Sequence, residues 1–329
     1  MKTVTLRRCA LRCVMLLAAL PGLADHSFAQ EAYPNRPVKI VVPFPPGSAA
    51  DTLPRLIAEK LATRWGQPVV VENRLGAAGN IGADAVAKAT PDGYTLLASP
   101  PPPIAINQSL YQNLSFDPGA FVAVSIIGSA PNVLAVNADL PATTLTQLIA
   151  LAHARPGGLN YASTGSGSTP HLSMERLKAL TSAPMVHIPH KGLPPAIVDL
   201  LAGRVDVMFL NLGDAMRHVR SGKLRVIAVA SEQRVAELPG VPALVETYSG
   251  FVSTAWYAFV APPNTPPRVI ATLSGAIAET LQQPDVVKRL RDMSIDPVGG
   301  SPAQAAAFIQ EEIKRWHKII VSVGIKADE

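Results

Sequence analysis

From Val38 onward the chain alternates short apolar runs with amphipathic stretches, and this alternation constrains its fold more than any other feature. Short β-branched runs separated by helix-length segments build sheets covered by helices, because parallel neighbours need a long crossover between them. Lys39 to Pro43 reads as a first strand. Beyond it Leu53, Leu56, Ile57, Leu61 and Trp65 fall on one helical face, with Asp51 placed as the N-cap. Val69 to Val71 is the next strand, Ile81 to Ala89 a short helix, and Tyr94 to Ala98 a third strand behind the Pro91-Asp92-Gly93 turn.

The apolar run Val122 to Val136 is long enough to cross from one lobe to another. A second series follows, with helices expected over 144–153, 170–180, 195–202 and 213–220 and strands over 160–162, 185–188, 205–209 and 225–230. Val252 to Ala261 leads back. Helices over 267–281 and 302–321 close the chain, the last expected to bury Ala306, Ile309, Ile313, Trp316 and Ile320. The expected fold is α/β in two lobes: lobe 1 discontinuous over 30–129 and 252–329, lobe 2 over 130–251, with two crossings between them. A length of 329 residues suits two domains of roughly 100–200 residues each.

A net charge of +5 suggests a polyanionic partner until the charges are placed along the chain. Residues 1–29 hold Lys2, Arg7, Arg8 and Arg12, the apolar run Cys13 to Leu20, and Ser27-Phe28-Ala29, the layout of a cleavable secretory signal peptide. Arg7-Arg8 lies in a poor context for twin-arginine export, so Sec is the expected route. Arg12 before Cys13 and the apolar run after it argue against a lipid-anchored cysteine. Cleavage after Ala29 would leave 25 Lys plus Arg against 23 Asp plus Glu and remove Cys9 and Cys13, the only two cysteines. The expectation is a nearly neutral, thiol-free protein in the periplasm, without a nucleic-acid partner, cofactor or metal, and monomeric.

Two strand-to-helix junctions are rich in Gly, Ser and Thr: Pro43 to Asp51 and Ser163 to His171. Each precedes a helix N-terminus, where unpaired N–H groups and the helix dipole favour an anion. Two such junctions facing each other can hold a small dianion through amides, hydroxyls and water, or they can simply make turns. Gly76-Ala77-Ala78-Gly79-Asn80-Ile81-Gly82 has GxxGxxG spacing and not the GxGxxG of a dinucleotide site, so close packing explains its glycines better. Gly165-Ser166-Gly167 lacks the Gly-x-Ser-x-Gly spacing of a hydrolase nucleophile. His171, His187 and His190 have no carboxylate at metal-ligand spacing. An exported hydrolase is the weaker reading, and no catalytic residue is expected.

The motifs Val42-Pro43-Phe44-Pro45-Pro46-Gly47, Val71-Glu72-Asn73-Arg74, Gly79-Asn80-Ile81-Gly82, Pro91-Asp92-Gly93-Tyr94-Thr95-Leu96-Leu97 and Pro189-His190-Lys191-Gly192 together make the chain recognisable. It resembles the Bug (TctC-like) family of periplasmic solute receptors of tripartite tricarboxylate transporters, from Tyr33 to Lys326. The resemblance implies a type II periplasmic-binding-protein fold, a Venus flytrap without catalytic activity that closes on a small carboxylate and presents it to the large and small permease subunits. A role beside a membrane sensor kinase is the alternative. The implied ligand-binding residues are Phe44, Gly47, Ser48, Ala50 and Asp51 on the first loop, Ser163, Thr164, Gly165 and Thr169 on the second, with Pro189, His190, Lys191 and Asn211; Asn80 and His171 are further candidates.

The chain departs from the family pattern at Ser48, usually glycine, at Pro100 to Pro103, often Ser, Thr or Gly, at His190, commonly Tyr, and at Leu210, often Asp. Four successive prolines offer no N–H, so that wall can only accept hydrogen bonds or pack. The departures imply either a ligand less polar or differently shaped than a plain C4 to C6 dicarboxylate or a partly degenerate cleft, with His190 a proton-dependent donor near neutral pH.

Overall fold

The structure, a computed structural model, describes residues 33–326. The expected signal peptide lies outside them. The first series comprises β1 (Val38–Val42), α1 (Ala49–Trp65), β2 (Val69–Asn73), α2 (Asn80–Ala87), β3 (Thr95–Ser99) and a short α3 (Asn107–Leu110). Strand β4 (Val122–Asn137) then carries the chain into α4 (Leu145–Ala154), β5 (Leu159–Ser163), α5 (Thr169–Thr181), β6 (Met185–Pro189), α6 (Leu193–Leu201), β7 (Val207–Asn211), α7 (Leu212–Arg220) and β8 (Leu224–Val229). Strand β9 (Thr254–Ala261) returns to α8 (Pro267–Leu281), α9 (Pro284–Asp292), β10 (Asp296–Gly299) and α10 (Pro302–Val323).

The strands lie in the order β2-β1-β3-β9-β4-β7-β5-β6, with β8 and β10 also paired to β4. Pairs β1·β2, β1·β3, β5·β6 and β5·β7 are parallel, as the crossover lengths require. The crossing strands run antiparallel to their neighbours. β4 pairs with β9 as far as Pro131 opposite Thr254, and with β7 from Asn132 opposite Asn211. One sixteen-residue strand therefore belongs to both sheets. Apolar cores fill the space between each sheet and its helices: Ile40, Leu53 and Ile57 of the first series with Phe259 of β9, and Tyr161, Met174 and Phe209 in the second.

Helix α1 buries Leu53, Leu56, Ile57 and Leu61 and stops at Gly66, whose positive φ of 62° lets its N–H reach the Ala62 carbonyl. Helix α10 starts from a Ser301–Gln304 capping box and buries Ala305, Ile309, Trp316 and Ile320. Ala306, expected inside, is exposed, because the buried stripe runs one position earlier at its start. Among the described residues α9, β10 and the helical turns from Pro102 to Leu110 were not foreseen. Gly213 has a packing reason: a Cβ there would lie 1.9 Å from the Met293 carbonyl oxygen, so α7 approaches the α9–β10 connection at backbone distance.

Candidate functional site

The C-terminal ends of the parallel strands meet around a cavity of about 100 Å³, the position that open α/β sheets reserve for ligands. After β1 it is lined by Phe44, Pro45, Ser48, Ala49 and Ala50, and after β3 by Pro100 and Pro102. The β5–α5 loop adds Thr164, Ser168, Thr169 and Pro170, and the turn into α6 adds Gly192, Leu193 and Pro194. Leu210, Asn211 and Asp214 come from β7 and α7, and the crossing strands supply Asn132, Ala255 and Tyr257. A second, larger cavity of about 520 Å³ shares Ser48, Ala49, Asn211 and Asp214 and adds Arg217 and Arg220.

Ser48, not Asp51, is the N-cap residue of α1. Its hydroxyl makes no cap bond and turns to the Pro45 carbonyl at 3.5 Å, so no side chain covers the first-turn amides of α1. Asp51, 4% exposed, sits behind the loop. It accepts from Arg55 Nε (3.0 Å) and Asn73 Nδ2 (2.8 Å), and Asn73 Nδ2 also donates to the Phe44 carbonyl (2.9 Å). Burial alone would raise its pKa, but the hydrogen bonds from Arg55 and Asn73, with the Gly47 N–H, hold the carboxyl below the usual range. Asp51 therefore fixes the loop that presents Phe44 and Ser48 and does not itself line the cavity.

On the second loop Thr164 and Thr169 reach the cavity, whereas Ser163, Gly165 and His171 support it from behind. Ser168 caps α5, accepting weakly from the His171 N–H (3.5 Å) and donating to the Gly165 carbonyl (2.7 Å). His187 lies nearly parallel to both Tyr161 (centroids 4.8 Å apart) and His171 (4.0 Å), which are themselves 6.3 Å apart, with Nε2 2.7 Å from Ser163 Oγ. Burial, then His171, push the His187 pKa down to about 4. An unfolded histidine titrates near about 6.5, so between those values the unfolded chain binds more protons, and stability falls as pH drops through that window. The expected loss is about 1–2 kcal/mol after allowing for partial exposure, and His187→Asn should remove most of it. Urea midpoints at pH 7.5 and 4.5 measure this, and equal losses in both proteins would assign the acid sensitivity elsewhere.

Of the remaining expected residues, Gly47 lines only the larger cavity. Asn80 accepts from Asn107 Nδ2 at 2.5 Å, outside either cavity. Pro189, His190 and Lys191 do not line the cavity; the neighbouring Gly192 does, and a Cβ on it would lie 3.2 Å from Pro45 Cγ. His190 is no free donor: Nε2 meets Asp199 Oδ2 at 2.8 Å and Nδ1 the Ile188 carbonyl at 2.9 Å. The proline run begins a helical turn, the amides of Ile104, Ala105 and Ile106 converging on the Pro101 carbonyl, and Leu210 adds to the apolar wall.

Asn132, Asp214 and Tyr257 were not foreseen. Asn132 and Tyr257 are polar residues inside mostly apolar strands, and Asp214 is the acid in the first turn of α7; interrupted hydrophobicity was the available signal. Asn211 Nδ2 donates to the Tyr257 hydroxyl at 2.8 Å. Burial pushes Asp214 up to about 6 against the pull of Arg217 and the Asn211 amide. No lysine or arginine lines the smaller cavity.

Two α/β lobes sharing crossing strands, with a solute-sized cavity at the strand ends and no nucleophile–base pair in it, define the solute-binding class of two-lobed periplasmic receptors. The profile of the tripartite tricarboxylate transporter family receptor (TctC) matches residues 53–325, and the chain belongs to that family. It is a receptor and not an enzyme. Protein BugT of Bordetella pertussis is 40% identical over 319 residues, 96% of this chain and 98% of that protein. Among solved structures, R. palustris Rpa4515 with adipate has a TM-score of 0.85 at 36% identity, covering 89% of this chain and 99% of that one. MatC (Rpa3494) from Rhodopseudomonas palustris with bound malate has a TM-score of 0.82 at 32% identity, covering 88% and 100%.

Proposed function

We propose that the protein is a periplasmic receptor for a small organic acid, exported through residues 1–29 by Sec and delivering its solute to the large and small permease subunits of a tripartite transporter. The observation that carries this reading is the α1 N-terminus, whose first turn borders the cavity through Ser48, Ala49 and Ala50 without a side-chain cap. Unpaired N–H groups at a helix start attract a carboxylate without any cation. Thr164 and Thr169 supply hydroxyls from the facing loop, and the apolar wall of Phe44, Pro100, Pro102 and Leu210 takes the solute's carbon skeleton. The acids bound by Rpa4515 and MatC support the same chemistry. In this reading lobe 1 (30–129 and 252–329) and lobe 2 (130–251) close about Pro131–Asn132 and Ser253–Thr254, where the strand pairing changes sheets.

Thermal unfolding of the protein lacking residues 1–29, across a panel of carboxylates, tests the proposal. A ligand at a hundredfold excess over its dissociation constant should stabilise the fold by about 2.7 kcal/mol. For a chain of this size that is a rise of roughly 4 °C. A panel that leaves the midpoint unmoved, with neutral solutes or metals raising it, would refute the reading.

A further inference from the structure

The smaller cavity is asymmetric in its hydrogen-bonding chemistry. One side offers donors, the α1 first turn and the loop hydroxyls. The other side, on β4 and α7, offers acceptors. Asp214 is the one charged residue among those lining this cavity, and it also lines the larger one. It forms no ion pair among the described residues; its neighbours are Asn211, Arg217 three residues along α7, and the Tyr257 hydroxyl on β9.

Asn132 adds a second, independent acceptor. It stands opposite Asn211 in the β4·β7 register, is 1% exposed, and its Oδ1 has no hydrogen-bond partner. The orientation of its amide follows from a chain of hydroxyls. Ser173 Oγ lies 2.7 Å from the Thr169 carbonyl, which can only accept, so the Ser173 proton is used there. Ser253 Oγ, 2.6 Å from Ser173 Oγ, must then donate to it, and has only its lone pairs left for Asn132, 2.8 Å away. The amide therefore turns Nδ2 toward Ser253 and leaves Oδ1 unpaired. An unpaired buried acceptor costs about 1–3 kcal/mol unless something donates to it.

We propose that Asp214 and Asn132 set the specificity of the receptor for a zwitterionic solute, an aminocarboxylate whose carboxylate lies against α1 and whose ammonium is taken up by these two acceptors. A plain dicarboxylate would bring a second anion to Asp214 and give Asn132 Oδ1 no donor. An ammonium group supplies several N–H donors and a charge opposite to that of Asp214. This inference rests on the carboxylate reading above and narrows its solute class.

Calorimetric titrations with chain-length-matched pairs, glutamate against glutarate and 6-aminohexanoate against adipate, test it in the wild type and in Asp214→Asn at pH 7.5. In the wild type at least one aminocarboxylate should bind tenfold or more tightly than its dicarboxylate partner. Asp214→Asn should weaken the aminocarboxylate by tenfold or more and strengthen the dicarboxylate, reversing the order. Dicarboxylates binding better than their amino partners in the wild type would overturn the zwitterion proposal and leave the carboxylate reading standing. If neither member of either pair binds either protein, and the wider carboxylate panel also fails, both readings fall.

Discussion

Glu312→Ala is expected to destabilise the fold by about 3–5 kcal/mol, the range for removing one partner of a buried charged network. One carboxylate serves three donors. It accepts from Trp256 Nε1 on β9 at 2.7 Å, Trp316 Nε1 one turn along α10 at 3.1 Å, and the Arg315 guanidinium at 2.7 Å. Both indoles are fully buried, so without Glu312 their N–H groups would be left unpaired with no route to water. Arg315 would lose its counter-charge while still tied to the Val252 carbonyl just before the returning strand. The network thus pins the C-terminal helix to the returning strand β9. Calorimetric unfolding should show the melting temperature falling by roughly 5–8 °C, with Glu312→Gln, which keeps one acceptor, losing less. An unchanged midpoint for Glu312→Ala would mean that α10 is held by its apolar stripe alone.

Ser48→Asp should separate binding from stability. At present the N-cap hydroxyl leaves the α1 amides uncovered. An aspartate there would accept from those amides itself, a cap bond worth about 0.5–2 kcal/mol, partly offset by repulsion from Asp51 three residues on. The fold should therefore be unchanged or slightly more stable. The same carboxylate would occupy the anion position and repel a ligand carboxylate, a juxtaposition that costs several kcal/mol. Affinity for the best carboxylate should fall at least a hundredfold in calorimetric titration, whereas the uncharged Ser48→Asn should lose far less. A Ser48→Asp protein that binds as tightly as the wild type would place the carboxylate away from α1.

The regular elements were legible because their patterns are local. The β-branched runs at Val38–Val42 and Val69–Asn73 and the i, i+3, i+4 spacing of α1 each fix one element from its own residues. Elements that depend on distant partners were not. β10 contains Pro297 and Gly299 and is a strand only because it pairs with the edge of β4. Helix α9 is short and highly charged, with Val286 and Leu290 as its buried residues. The four prolines read as a featureless wall, yet Pro102 and Pro103 open a helical turn, where a missing N–H costs nothing.

The candidate site divides the same way. The loop residues Phe44, Ser48, Thr164 and Thr169 follow from strand-to-helix chemistry, and all line the cavity. Asp51, Ser163 and His171 carry the same chemical signals but point into supporting networks, a distinction set by tertiary packing. Asn132 and Tyr257 reach the cavity only because the crossing strands pass between the two sheets, and no local pattern announces that.

The central claim is that the α1 N-terminus holds the carboxylate of the solute. A structure of the complex with the tightest-binding acid of the panel tests it most directly. One carboxylate is expected within hydrogen-bonding distance of the first-turn amides of α1, between Ser48 and Ala50. A ligand bound in the cavity with its carboxylate directed away from α1, or bound outside the cavity altogether, would contradict it.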